Sequence, residues 1–483
     1  MNYSDLTLLT DFYQITMMQG YYSAKQQEQE VVFDLFYREN PLGNGYSIAC
    51  GLAQVIDYIE RLQFTAEDVA YLREQGCFKE DFLEYLLDFK FTGEIYAVPE
   101  GTVVFPNEPL LRVKAPIMQA QLIETAILNI VNHQSLIATK AARVVWAAQG
   151  DVVLEFGLRR AQGPDAGIYG ARAAIIGGCD STSNVLAGKM FGIPISGTHA
   201  HSWVMSFDDE LTAFREYAKV FPSRCTFLVD TYDTLKSGVP NAIKVFQEMK
   251  EQGLSLDNIG IRLDSGDFAY ISKKARQMLD RAGFEKARIC ASSDLDEELI
   301  SSLKAQGAKI SIWGVGTNLI TSKECPAFGG VYKLAAEFSA EGKIQPKIKL
   351  SENPIKVTNP GIKKIFRLYE KESGKMKADL ITLESETIDE SQPLTIFDPN
   401  ATWKKMTLEA GAFSVRELLV PVFVNGKCVY EQPDIMEIRE YCKQELEKLW
   451  DEHKRLVNPQ IMYVDLSQKL YDLKQNMINS IRK

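Results

Sequence analysis

Six short apolar runs decide the fold: VVLEFG at Val152–Gly157, IPISGT at Ile193–Thr198, CTFLVDT at Cys225–Thr231, NIGIRLDS at Asn258–Ser265, RICASSD at Arg288–Asp294 and KISIWGVG at Lys309–Gly316. Each is rich in branched apolar residues and closes on Gly, Ser, Thr or Asp, which predicts a buried strand with a polar carboxyl end. Between them, Glu210–Phe221, Leu235–Gln252, Phe268–Ala282 and Asp296–Gln306 carry apolar residues at helical spacing. Strands alternating with helices predict parallel strands joined by crossover helices. The motifs differ in every unit, so the repeat is a βα unit and not a solenoid. Six runs are fewer than the eight of a regular barrel, and a doubly wound open sheet would read similarly.

Outward from this core the pattern changes. Short strands are expected at Glu94–Val98, Thr102–Phe105 and Leu110–Val113, and again at Ile365–Tyr369 and Leu418–Val424, with two charged helices over Asp434–Leu456 and Leu466–Ile481. A chain of 483 residues exceeds one compact core. Its formal net charge of −10 disfavours nucleic acid and anionic membrane as partners. No apolar run approaches the roughly 20 residues that span a bilayer, and the first residues lack the pattern of a secretory signal, so a cytoplasmic location is expected. Eight scattered cysteines contain no C-x-x-C pair and read as reduced thiols; Cys179, beside Gly178 and Asp180, reads as incidental.

Candidate chemistry collects at the strand ends. Arg159 and Arg160 follow VVLEFG, where a guanidinium can grip a carboxylate or phosphate in two-pronged fashion, although a surface ion pair would explain either one equally. Arg262 shares its rim with Asp264 and Asp267; these could hold an anion, hydroxyls or magnesium, or Arg262 and Asp264 could merely pair with each other. WGVGTN at Trp313–Asn318 can present amides to a phosphate, or be a tight turn in which Thr317 caps a helix. Two of only four histidines fall in GTHAHSW, Gly197–Trp203, which packing alone explains poorly. His133 and His453 read as a satisfied core histidine and a solvated one. Thr198, Thr182, Ser183 and Asn184 are suited to a carboxylate.

These stretches, with LLTDFYQITM (Leu8–Met17), FYRENPLGNGYSIACGL (Phe36–Leu52), LVDTYDT (Leu228–Thr234), RLDSGD (Arg262–Asp267) and SENPIKVTNPG (Ser351–Gly361), resemble the nicotinate phosphoribosyltransferases of the type II phosphoribosyltransferase family in order and over nearly the whole length. The resemblance implies an irregular, incomplete α/β barrel with a flanking α+β domain built from both termini, which places a flanking α+β domain at 1–137, a catalytic α/β domain at 138–355 and a C-terminal return to the flanking domain at 356–483. It implies joining of nicotinate to the ribose 5-phosphate of phosphoribosyl pyrophosphate (PRPP), with ATP hydrolysed through a phosphohistidine at His201, magnesium accompanying ATP and PRPP, and NAD biosynthesis as the setting. His199 falls on a variable position of the motif. The resemblance further implies nicotinate contacts from Tyr13, Phe156, Arg159, Thr198 and Arg262, and PRPP or phosphate contacts from Arg159, Arg262, Asp264, Ser293, Gly316 and Thr317. Tyr13 would come from the partner subunit of a homodimer with shared sites. A nicotinamide-using relative, a quinolinate-using one and a non-catalytic phosphate-binding barrel are the alternatives. Asn184 stands near the position where nicotinamide-specific relatives carry an acid.

Overall fold

The computed structural model describes residues 5–481, and they divide into two compact units, one of 137–326 and one of 5–136 with 327–481.

The first unit is built on a six-stranded sheet in which every pairing is parallel. Its spatial order is Ser181–Thr182, Val152–Glu155, Ile312–Val315, Arg288–Ser293, Gly260–Leu263, Thr226–Leu228. Both faces are covered, as continuous apolar runs require: Val153, Ile261, Ala291, Trp313 and Val315 are 0% exposed. The crossover helices are Glu210–Val220, Val239–Glu251, Phe268–Arg281 and Glu297–Ala305. Three of them start on an aspartate, Asp209, Asp267 or Asp296, whose carboxylate accepts a backbone N–H of the first turn, a cap worth about 1 kcal/mol. The sheet does not close on itself, so the barrel is irregular and incomplete.

One expectation is corrected here. IPISGT is not a strand: Pro194 offers no N–H, Ile195 is 48% exposed, and the run makes only an isolated bridge from Ile195 to Thr182. The strand in that position is Ser181–Thr182. The compact unit that carries the parallel sheet spans 137–326, and Val331–Phe338 pairs antiparallel with Glu30–Phe36 in the other unit.

The flanking unit holds a seven-stranded antiparallel sheet ordered Ile344–Pro346, Val331–Phe338, Glu30–Phe36, Leu111–Pro116, Glu94–Ala97, Val420–Val424, Lys427–Cys428. The amphipathic helix Leu52–Arg61 buries Leu52, Val55, Ile56 and Ile59 in its core. A second sheet pairs Phe413–Glu417, Lys363–Glu370, Met376–Leu383 and Tyr463–Leu466. In it the fully buried Arg367 forks onto Asp379 and reaches Glu445 at 3.2 Å. Loss of one partner of such a buried pair costs about 3–5 kcal/mol. The two long helices of the C-terminal segment are Ile435–Lys448 and Gln468–Ile481; the expected longer first helix stops at Lys448, and only the short helix Asp451–Lys454 follows it. His453 is buried, not solvated, with Nδ1 2.7 Å from the Gln460 carbonyl. Nε2 of His133 is buried without a hydrogen-bond partner among the described residues, so this side chain is not the satisfied one expected.

Candidate functional site

In a parallel sheet all carboxyl ends lie on one rim, and here that rim carries the polar residues. Arg262, near the end of Gly260–Leu263, is its organising group. Its Nε donates to Ser292 Oγ at 2.8 Å, Nη1 to Thr198 Oγ1 at 3.0 Å and to the His199 carbonyl at 3.4 Å, and Nη2 to Asp264 Oδ1 at 3.0 Å. Of five N–H donors, one is left over. The guanidinium lies 5.9 Å from the centre of the Phe156 ring, within cation–π range. Phe156 is seated by glycines: a Cβ on Gly314 would stand 2.7 Å from its ring, and one on Gly316 would stand 3.2 Å from its carbonyl.

Asp264 Oδ1 also accepts a hydrogen bond from Ser292 Oγ. Partial burial works against ionisation of Asp264, but the Ser292 hydroxyl and the Arg262 charge outweigh it and hold the carboxyl below the usual aspartate range. Asp230, one strand over, accepts from the Asp264 N–H at 2.9 Å and from Ser265 Oγ at 2.6 Å through Oδ2, while its Oδ1 is buried without a hydrogen-bond partner among the described residues. His201 faces this pair. Its Nε2 is 3.8 Å from Asp264 Oδ2 and 4.0 Å from Asp230 Oδ1, its Nδ1 is 3.1 Å from Thr231 Oγ1, and its side chain is 40% exposed.

The other histidine of the motif is a structural group. His199 packs against Phe214 and Tyr217, and its Nε2 accepts the Leu228 backbone N–H at 3.2 Å. Burial pushes its pKa down to about 4, so the ring is neutral and Nε2 keeps its lone pair.

Phe156, Thr198, His201, Arg262 and Asp264 are thus brought together. Ser293, paired in register with Val315, and Gly316 and Thr317, just beyond Val315, stand on the same rim. Ser293 has φ 109°, a left-handed value that costs a residue with a Cβ roughly 1–3 kcal/mol. Arg159 and Arg160 form the exposed helical turn Leu158–Arg160, without a partner among the described residues. Tyr13 belongs to the flanking unit and is 49% exposed.

Some readings change. Asn184 and Thr182 are framework: Asn184 caps the helix Val185–Phe191 through Oδ1 and donates to the Gly167 carbonyl at 3.1 Å, and Thr182 donates to the buried Glu155 at 2.5 Å. Burial raises the pKa of Glu155 against the pull of that hydrogen bond. Asp267 is a helix cap. Sequence reasoning missed Asp230, Thr231 and Ser292; the recurrence of Asp directly after two neighbouring strands, LVD and RLD, was the available signal. Among the described residues no group of three or more His, Cys, Asp or Glu side chains could hold a metal, and no helix is long and apolar enough to cross a membrane.

Comparison with known proteins adds a match along almost the full length. Residues 8–132 match the nicotinate phosphoribosyltransferase N-terminal domain, 152–356 the nicotinate phosphoribosyltransferase family, and 362–474 the C-terminal domain. The chain is 49% identical to nicotinate phosphoribosyltransferase of Bacillus subtilis, covering 99% of this chain and 96% of that protein. It is 38% identical to the Dictyostelium discoideum protein of the same name, over 97% and 88%. The crystal structure of human nicotinic acid phosphoribosyltransferase superposes with a TM-score of 0.84 at 30% identity, over 97% of this chain and 99% of that one.

Proposed function

This chain belongs to the nicotinate phosphoribosyltransferase family, and we propose that it performs the ATP-coupled form of that reaction, with His201 as phosphoacceptor. Nicotinate, PRPP, ATP and water become nicotinate mononucleotide, diphosphate, ADP and phosphate, a step of NAD biosynthesis. The observation that carries the proposal is the setting of His201, half-open, with one nitrogen engaged and the other facing two carboxylates.

With Nδ1–H donating to Thr231, Nε2 carries the lone pair. It attacks the γ-phosphorus of ATP; the N–P bond forms as the bond to the β-phosphate oxygen breaks, and ADP leaves. Water later cleaves the N–P bond and releases phosphate. In the transfer itself the pyridine nitrogen attacks C1 of the ribosyl group as the bond to diphosphate breaks. Phe156 offers its face to the ring, and the spare N–H of Arg262, with Thr198 and the unpaired Arg159, offers charge and donors to the carboxylate. Ser293, Gly316 and Thr317 line the rim where the ribose phosphate would lie. Magnesium suits a site of one or two carboxylates completed by substrate phosphates, and Asp230, with its unpartnered Oδ1, and Asp264 are the residues that would hold it. Bound there, it supplies positive charge between the phosphates and these carboxylates.

The nicotinamide reading is not favoured, since the amide and oxygen of Asn184 are committed to the fold. The working unit in this proposal is a homodimer in which Tyr13 of each subunit stacks on the pyridine held by the other; its exposure at the start of the helix Phe12–Ser23 supports this. The test is turnover with nicotinate and with nicotinamide, each with and without ATP, in the native chain and in His201→Ala. The expected result is preference for nicotinate, stimulation by ATP, an acid-labile phosphate on His201, and loss of the ATP effect but not of slow transfer in the variant. Phosphate on His199, or an unchanged ATP effect, rejects the assignment.

A further inference from the structure

The flanking unit contains a cavity of about 350 Å³ that the transfer reaction does not use. Its walls come from both terminal segments, with Phe36, Pro109, Ile381, Leu466, Tyr471 and Ile478 as the apolar part. The volume lies at the lower end of the roughly 300–1,000 Å³ of small-molecule sites. Three charged residues also line it: Asp34, Lys363 and Lys474.

These three are unequally satisfied. Lys363 is 3% exposed, and its ammonium gives all three protons away: to Asp34 Oδ2 at 2.7 Å and to the carbonyls of Asn359 at 2.9 Å and Gly361 at 2.6 Å. Asp34, also 3% exposed, keeps Oδ1 without a hydrogen-bond partner among the described residues. Lys474 reaches Asn359 Oδ1 at 2.8 Å and has two protons left. The neighbouring Arg112 is balanced by Glu384 at 3.1 Å. After Asp34 cancels Lys363, one positive charge remains, on Lys474, and one acceptor lacks a donor. Burial and the nearby Lys363 lower the Lys474 pKa, as expected of an ammonium without its counter-anion.

We propose that this cavity binds a small organic monoanion of the short, branched 2-hydroxy-acid type. The carboxylate meets Lys474, the hydroxyl donates to Asp34 Oδ1, and the branched carbon chain fills the apolar wall. Neither a neutral alcohol nor a simple fatty acid satisfies both polar groups.

The test is calorimetric titration of the full chain with 2-hydroxy-4-methylpentanoate, against 4-methylpentanoate as the probe lacking the hydroxyl. Binding of the hydroxy acid is expected, several-fold tighter than that of the deoxy acid and unaffected by saturating nicotinate. Lys474→Met is expected to weaken it about tenfold or more, the loss of one charge-assisted hydrogen bond, and Lys474→Arg to restore most of it. Ile478→Trp, which fills the apolar wall and leaves the charge of Lys474 in place, is expected to abolish binding and serves if Lys474→Met does not fold. No heat with the hydroxy acid, equal affinity for both acids, undiminished binding in Lys474→Met or Ile478→Trp, or displacement by nicotinate each overturns the proposal. The reading of the barrel rim stands or falls separately, on nicotinate turnover.

Discussion

Arg262 gives the sharpest test of the rim, because its removal should damage fold and catalysis by different amounts. In Arg262→Met the apolar stem is kept, while the hydrogen bonds to Ser292, Thr198 and Asp264 are lost. A hydrogen bond to a charged group contributes about 1.5–3 kcal/mol, but the contacts share one guanidinium, so their losses do not add. The side chains of Arg262 and Asp264 are 15% and 29% exposed, which leaves part of their attraction screened by water. A stability loss of about 2–4 kcal/mol follows, and a coupling between Arg262→Met and Asp264→Asn of about 1–2 kcal/mol in a double-mutant cycle. Because Asp264 titrates below its unfolded value, its contribution is present above about pH 3.9 and is lost as pH falls through the lower folded pKa. Asp264→Asn should therefore flatten the acid limb of the stability curve in that range. Denaturant unfolding supplies the stabilities, and kcat/KM for nicotinate should fall by more than about a hundredfold, beyond what the stability loss explains. A coupling near zero, or wild-type kcat/KM in a destabilised Arg262→Met, would refute the view that Arg262 both organises the rim and faces substrate.

Other outcomes follow from the same geometry. His199 has a folded pKa of about 4, so its neutral ring adds stability fully present above the unfolded value near 6.5, declining as pH falls toward 4; His199→Phe should abolish that decline in pH-dependent unfolding, at the cost of a lower plateau. Arg159→Ala should reduce kcat/KM by about tenfold or more, the worth of one charge-assisted contact, and Arg160→Ala by much less; equal small losses would move the anion site elsewhere. Mixed subunits of inactive Tyr13→Ala and inactive Arg159→Ala should regain part of the activity, and no recovery at any ratio would confine each site to one chain.

How much of this was legible depends on the range of the interaction. Strands buried on both faces announce themselves as apolar runs, and the helices between them by their spacing and aspartate caps, so the alternation could be read locally. IPISGT failed because composition does not reveal that Pro194 and the exposed Ile195 leave it outside the ladder. The parting of the chain after Pro326 has no local mark either: Val331–Phe338 is claimed by Glu30–Phe36, a pairing some three hundred residues distant in the chain. At the site, the motif pointed to His201, but its contact Thr231 lies 30 residues away, and Asp230 and Ser292 carry no mark beyond their place at a strand end. Asn184 has the chemistry of a ligand group, and only its cap geometry shows that its polar atoms are taken.

The hydrogen bond from the Leu228 backbone to His199 has a further consequence. Thr226–Leu228 is the last strand of a sheet that never closes, and an edge strand with open N–H groups invites strand addition from another chain. The imidazole occupies one rung of that missing ladder with a lone pair and crowds the approach with its aromatic neighbours. Protonation turns the acceptor into a donor and vacates the rung. Acid exposure of this protein should therefore reveal itself first as self-association through that margin, before the interior comes apart.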